Sequence, residues 1–326
     1  MLFDRFSRRD SMALGALGAA AMLAPSQATA RPAPRTAVST VRHRRVSVSG
    51  IDIFYREAGV PGAPALLLLH GFPSSSHMFR HLLPELADRF HLIAPDYPGF
   101  GFSAFPPRDK FQYGFDSYAG LIGEFTHAIG LRKFGLYVQD YGAPIGFRLA
   151  LNRPDDVRFL IVQNGNAYAE GLSPGWDPLK AYWRDPSTQN REKLKGWLGA
   201  DGTKLQYTAG LRPAQLELLA PELWALDWAL LSRPGNIELQ LDLFGDYGSN
   251  VELYPQFQAW MRKRQLPTLI AWGENDPFFT VVGAKAFLRD NPKAELHLFD
   301  GSHFLLETHG SEVAALIDGF ARRHRL

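Results

Sequence analysis

The sequence predicts an α/β fold: a mostly parallel eight-stranded sheet flanked by helices, with a helical cap inserted after the sixth strand. Three observations carry this. Short apolar runs of β-forming residues recur along the chain and read as strands buried on both faces. Helical stretches lie between them, the alternation that builds a three-layer α/β domain. Between the strand ending near Gln163 and the strand starting near Pro267 lie roughly a hundred residues of helical patterning, far longer than an ordinary connection.

Taken in order, residues 1–30 read as a segment outside the fold. Ser7-Arg8-Arg9-Asp10-Ser11-Met12 carries a paired arginine, Ala13 to Leu23 is a small-residue apolar run, and Ala28-Thr29-Ala30 has the small-x-small form of a cleavage site. That succession predicts a twin-arginine export signal and a periplasmic or secreted destination. The apolar run is far shorter than the ~20 residues of a membrane span. Residues 31–41, rich in Pro, Ala, Arg and Thr, read as a linker. Arg44 to Val48 and Asp52 to Glu57 alternate polar and apolar residues around Ser49-Gly50, which predicts an antiparallel pair at the sheet edge. The buried strands follow at Ala65 to Leu69, His91 to Ala94, Phe134 to Val138, Phe159 to Val162, Thr268 to Trp272 and Glu295 to Phe299. Helices are expected over His77 to Asp88, Ser117 to Ile129, Ala143 to Leu151, Val281 to Asp290 and Ser311 to Arg323. The core thus occupies residues 42–165 and 266–326, with a cap over 166–265 that holds Trp176, Trp183, Trp197, Trp224, Trp228 and Trp260. Most of those aromatics pack the cap helices; its place over the strand ends is where open α/β sheets bind ligands.

Composition removes several function classes. The formal charge of +2 over 326 residues gives no case for nucleic acid, and the short basic clusters at Arg42–Arg45, Arg262–Arg264 and Arg322–Arg325 read as solvated faces and a charged helix end. There is no cysteine, which excludes disulfides, thiolate metal sites and cysteine nucleophiles. No metal-ligand cluster, phosphate loop or dinucleotide fingerprint stands out, so no cofactor is expected. The partner expected is a small apolar substrate.

Chemistry gathers where strands end. The third strand runs into His70-Gly71-Phe72-Pro73 and the fourth into Asp96-Tyr97-Pro98-Gly99-Phe100-Gly101. The fifth runs into Asp140-Tyr141-Gly142, the seventh into Gly273-Glu274-Asn275-Asp276-Pro277, and the eighth into Gly301-Ser302-His303-Phe304. All five loops face one edge of the sheet. A lone Asp after a strand is usually a helix cap; five such loops in this order are hard to obtain by chance. Asp140 occupies a sharp strand-to-helix turn, where a strained backbone presents the central side chain and a glycine two positions on lets the backbones pass closely.

These motifs resemble the α/β-hydrolase fold over nearly everything after Arg44, in the family's order nucleophile, acid, histidine. The resemblance assigns those roles to Asp140, Asp276 and His303, and implies the backbone amides of Phe72 and Tyr141 as oxyanion donors. Val138 departs from the glycine that many members carry before the turn. An aspartate in place of serine narrows the resemblance to the epoxide hydrolase and haloalkane dehalogenase branch. Glu170, after the sixth strand, resembles the position where some dehalogenases place the triad acid, and stays open beside Asp276.

The residues support the same chemistry. A carboxylate with an ordinary pKa of about 3.9 is ionised at neutral pH and can attack an electrophilic carbon without a base. The ester so formed on Asp140 needs water activated by a histidine, with an acid to orient it. The leaving group decides between two activities. Haloalkane dehalogenases resemble one another in a tryptophan directly after the nucleophile; here Tyr141 stands there, and Phe72 in the oxyanion loop, neither with a side-chain N–H. Epoxide hydrolases resemble one another in two cap tyrosines that donate to the opening oxygen, a task suited to a phenol protonated at neutral pH. Tyr247, Tyr182 and Tyr168 are the candidates. The expected activity is therefore epoxide hydrolysis to a diol through an alkyl-enzyme ester, with haloalkane or haloacid dehalogenation as the alternative. A non-catalytic binding role on a hydrolase scaffold is opposed by the intact Asp140, Asp276 and His303 set.

Overall fold

A computed structural model describes residues 40–326. The export signal expected at 1–30 and all of the linker but Thr40 and Val41 lie outside the described residues. Eight strands form one sheet in the order β1-β2-β4-β3-β5-β6-β7-β8. They are β1 (Arg42–Val48), β2 (Ile51–Ala58), β3 (Ala65–Leu69), β4 (His91–Pro95), β5 (Phe134–Gln139), β6 (Val157–Gln163), β7 (Thr268–Gly273) and β8 (Glu295–Phe299). β2 pairs antiparallel with both β1 and β4, and every other pairing is parallel. The expected edge hairpin and parallel strands are all present, but β8, expected to be buried, is the partly exposed far edge of the sheet, because only β7 pairs with it. Leu66 to Leu69 of β3 and Leu136 to Val138 of β5 are fully buried, because helices cover both faces of the sheet.

The helices of the first core segment are α1 (Leu82–Leu86), α2 (Phe115–Ala128) and α3 (Gly142–Asn152). Where a continuous helix was expected over His77 to Asp88, a 3-10 turn at Ser76–Phe79 precedes the short α1. Pro84 accounts for the break: in an unbroken helix its ring would meet the carbonyl of Arg80 and its missing N–H would leave that carbonyl unpaired.

Between β6 and β7 run α4 (Asp177–Arg184), α5 (Thr188–Lys193), α6 (Ala200–Thr208), α7 (Pro213–Leu216), α8 (Glu222–Leu231) and the long α9 (Asn236–Arg264). This is the helical cap. α9 carries buried residues at Leu239, Leu243, Tyr247, Asn250, Tyr254, Phe257 and Met261, in steps of three or four that keep one stripe on one face. It packs against α2, α3 and α4, and also against α10 (Val281–Asp290), so it ties the cap to the core. The chain closes with α11 (Leu306–His324), which begins before the expected Ser311 and bends at His309. Among the described residues, no helix is long and apolar enough to cross a membrane.

Candidate active site

The loops after β3, β5, β7 and β8 meet at one point. Asp140 takes a left-handed backbone, φ +47°, which is strained for a residue with a side chain and holds the carboxylate out of both β5 and α3. Gly142 makes the turn possible: a Cβ there would stand 2.1 Å from the Leu69 carbonyl oxygen. Gly71 does the same from above, since a Cβ would stand 2.3 Å from the Asp140 Cβ. The chain after β3 therefore crosses directly over the turn, and Phe72 N–H donates to Asp140 Oδ1 at 2.7 Å. The Tyr141 N–H donates to the same carboxylate.

His303 approaches from the other side. Its Nδ1 donates to Asp276 Oδ2 at 2.9 Å, and its Nε2 lies 3.9 Å from Asp140 Oδ2. Asp276 is fixed in turn by Phe278 N–H at 2.7 Å and Phe279 N–H at 3.1 Å on one oxygen. Asn164 Nδ2 donates to the other at 2.8 Å. A carboxylate with four donors and no neighbouring acceptor has one stable orientation. Burial alone would pull the imidazole of His303 down, but Asp276 and Asp140 lift it above its ordinary value. Burial pushes the carboxyl of Asp140 up, and His303 with the two backbone N–H donors pulls it part of the way back. The two oxygens of Asp140 are thus unlike: Oδ1 faces a backbone donor, while Oδ2 faces the imidazole across a gap.

The cap brings two phenols here. Tyr247 is fully buried, lies 6.0 Å from the Tyr141 ring and feels the charge of Asp140, as does Tyr254. The Tyr247 hydroxyl faces that of Tyr254 and meets no other polar partner among the described residues. The Tyr254 hydroxyl accepts from Asn166 Nδ2 at 3.3 Å, which fills a lone pair and leaves its O–H to donate. Burial raises both phenols further above their ordinary pKa, so both stay protonated.

Two of the three tyrosines expected from the sequence are elsewhere. The Tyr168 hydroxyl donates to Asp290 Oδ2 at 2.7 Å, its ring against Phe287 and the Arg289 guanidinium, so it is turned into the α10 side of the core. Tyr182 accepts from Arg191 Nη1 at 3.2 Å within the cap. Glu170, left open as the acid, pairs with Arg289 at 2.8 Å and is half-exposed; Asp276, not Glu170, reaches His303. Tyr254 was missed, although its spacing of seven from Tyr247 puts both on one helical face. Asn164, whose backbone is also left-handed at φ +41°, gave no sequence signal. Neither did Gln139, whose amide lies 3.1 Å from His303 Nε2.

The tryptophans that touch Tyr247 have committed donors. Trp176 Nε1 donates to the Phe278 carbonyl at 3.0 Å and Trp183 Nε1 to the Phe244 carbonyl at 2.7 Å.

A family profile described as alpha/beta hydrolase fold matches residues 64–310. The chain belongs to the α/β hydrolase fold family. It is similar to the Saccharomyces cerevisiae protein named uncharacterized hydrolase YNR064C, 44% identical over 278 residues, which cover 84% of this chain and 94% of that one. It is also similar to the haloalkane dehalogenase of Bradyrhizobium diazoefficiens, 39% identical over 131 residues, but these cover only 40% of this chain and 39% of that one. Among solved structures, a putative ancestral haloalkane dehalogenase superposes with a TM-score of 0.68 at 25% identity, covering 87% of this chain and all of that one. The epoxide hydrolase CorEH superposes with a TM-score of 0.70 at 19% identity, covering 87% and 99%, a likeness of fold. This α/β hydrolase thus shares its fold with both haloalkane dehalogenases and epoxide hydrolases.

Proposed function

We propose that this α/β hydrolase opens an apolar epoxide to a diol through an ester on Asp140. The observation that carries this reading is the pair Tyr247 and Tyr254, two buried, protonated phenols that face one another within the field of the Asp140 carboxylate. Asp140 Oδ2, the oxygen away from the Phe72 donor, attacks one ring carbon. The carbon–oxygen bond of the ring breaks, its electron pair stays on oxygen, and a phenol proton neutralises the alkoxide. Water then gives a proton to His303 Nε2 and attacks the carbonyl carbon of the ester. Charge develops on Oδ1, where the Phe72 N–H waits, with the Tyr141 N–H donating to the same carboxyl group. Collapse of that intermediate expels the diol oxygen, which takes the proton from His303; the hydrogen that water leaves on the Asp140 carboxyl returns to the phenolate, which restores both the Asp140 carboxylate and the phenol.

The indole N–H groups nearest Tyr247 are spent on backbone carbonyls, which favours an oxygen leaving group over a halide. The test is intact-mass measurement of a His303→Gln variant after mixing with styrene oxide and, separately, with a bromoalkane, beside diol and bromide assays on the unaltered protein. An adduct of the mass of the epoxide, with diol from the unaltered protein, is expected. Bromide release with no diol from any epoxide would replace this reading with dehalogenation. The pattern at residues 1–30 further supports export to the periplasm or beyond, and amino-terminal sequencing of protein recovered from the periplasmic fraction checks it: an intact Met1 there overturns cleavage.

A further inference from the structure

Gln139 is a buried polar side chain at the centre of the site that neither half of the proposed reaction uses. It ends β5, immediately before Asp140, and is fully buried. Its Nε2 is 3.1 Å from His303 Nε2 and 3.5 Å from the His303 carbonyl oxygen. Its Oε1 has no hydrogen-bond partner among the described residues and lies against Gly71, where a Cβ would stand 2.2 Å from it. The carbonyl of His303 can only accept, so the end of the amide that faces it is the NH2 end. That end also faces His303 Nε2. Because Nδ1 already gives its hydrogen to Asp276, Nε2 of a neutral imidazole offers a lone pair, and the contact is a hydrogen bond. An imidazolium would set N–H against N–H at the same distance.

We infer that Gln139 is a positioning residue that holds His303 in its neutral, Nδ1-protonated form until the hydrolytic water replaces the amide at Nε2. The groups that work against it are Asp140 on the turn after β5 and Asp276 on the loop after β7; the other neighbours of the ring, Phe278, Phe279 and Phe304, carry no charge. Without a counterweight, two carboxylates around one imidazole favour a salt bridge between His303 and Asp140. That pairing would occupy Oδ2, the oxygen required for attack, and leave no lone pair for water afterwards. Exchange of the Gln139 N–H for a water O–H at Nε2 replaces one hydrogen bond by another of similar strength, so the counterweight is removed at little cost when water arrives. The use of this arrangement in hydrolysis rests on the covalent reading above, whereas the tautomer of His303 does not.

The experiment is nitrogen-15 NMR of histidine-labelled protein, with the His303 signals assigned by their loss in His303→Gln. In the unaltered protein at about pH 8, His303 is expected as the neutral Nδ1–H form. In Gln139→Leu, similar in volume but without a donor, its titration midpoint is expected to rise by about one pH unit, a tenfold gain in proton affinity. The acid limb of turnover is expected to move up with it, whereas a residue that only packs the site would slow turnover without moving the limb. An imidazolium in the unaltered protein at that pH overturns the inference, and this measurement needs no variant at position 139. An unchanged midpoint in a folded Gln139→Leu overturns it equally. A protein that turns over no epoxide yet shows the Nδ1–H form and the shifted midpoint keeps the inference and loses only the substrate assignment.

Discussion

Asp227 gives the sharpest test of the energetics. It sits on cap helix α8, only 1% exposed, where the Tyr207 hydroxyl donates to it and the Ser74 hydroxyl, two residues after Phe72, lies beside it. Burial pushes its carboxyl from 3.8 up to about 7; Tyr207 and Ser74 oppose that, and the charges of Glu307 and Asp96 add to it. The folded protein therefore holds this proton more tightly than the unfolded chain does. The stabilisation is full below about pH 4 and is lost as pH rises through about 7. Moving a carboxyl over that range corresponds to roughly 4 kcal/mol as an upper bound. Asp227→Asn keeps the shape and removes the charge. Relative to the unaltered protein, the variant is expected to gain up to about 4 kcal/mol between pH 4 and pH 8. At roughly 2 °C per kcal/mol for a chain of this size, its Tm advantage grows by about 8 °C across that interval. Thermal unfolding of both proteins at several pH values measures it. A Tm difference that stays constant from pH 4 to pH 8 would refute the buried, protonated carboxyl.

Tyr247→Phe and Tyr254→Phe are each expected to slow single-turnover ester formation from an epoxide by about 10- to 100-fold, and the double variant by more, with folding intact by circular dichroism; rates within twofold of the unaltered protein would remove the phenols from the reaction. Gly142→Ala drives a Cβ to 2.1 Å from the Leu69 carbonyl, and a loss of more than about 3 kcal/mol or of soluble protein is expected in denaturant titration. Ester hydrolysis requires neutral His303, which its two carboxylates hold above the ordinary imidazole value; hydrolysis is therefore expected to fail as pH falls, with a midpoint above about 6.5 in a stopped-flow pH series.

Much of the molecule was legible because its signals are local. The inner strands follow from runs such as Leu66 to Leu69, buried on both faces and therefore apolar without alternation, and the edge hairpin from the alternation around Ser49-Gly50. The turn at Asp140 was legible because a left-handed residue followed by an indispensable glycine is a demand on the backbone itself, met by Asp140 and Gly142 within three positions. Asp276 and His303 were legible from their order at strand ends. His77 to Asp88 was read as one helix because apolar spacing outweighed Pro84, whose effect is steric and falls on the preceding turn.

By itself, then, the sequence determined the sheet, the inserted cap, the acidic residue at the turn and the order of its partners, since each is encoded by neighbours along the chain. Tertiary structure alone decided which tyrosines reach that acid. Tyr168 and Tyr182 are buried as well, but Asp290 and Arg191 hold their hydroxyls elsewhere. Tyr254 reaches the site only because one stripe of α9 is laid across α2 and α3. Asn164 and Gln139 likewise acquire a role only when β7 and β8 bring Asp276 and His303 beside them. The physical reason is that a hydrogen bond or an electrostatic shift depends on distances between groups far apart in sequence, and those distances are set by how helices and sheet pack.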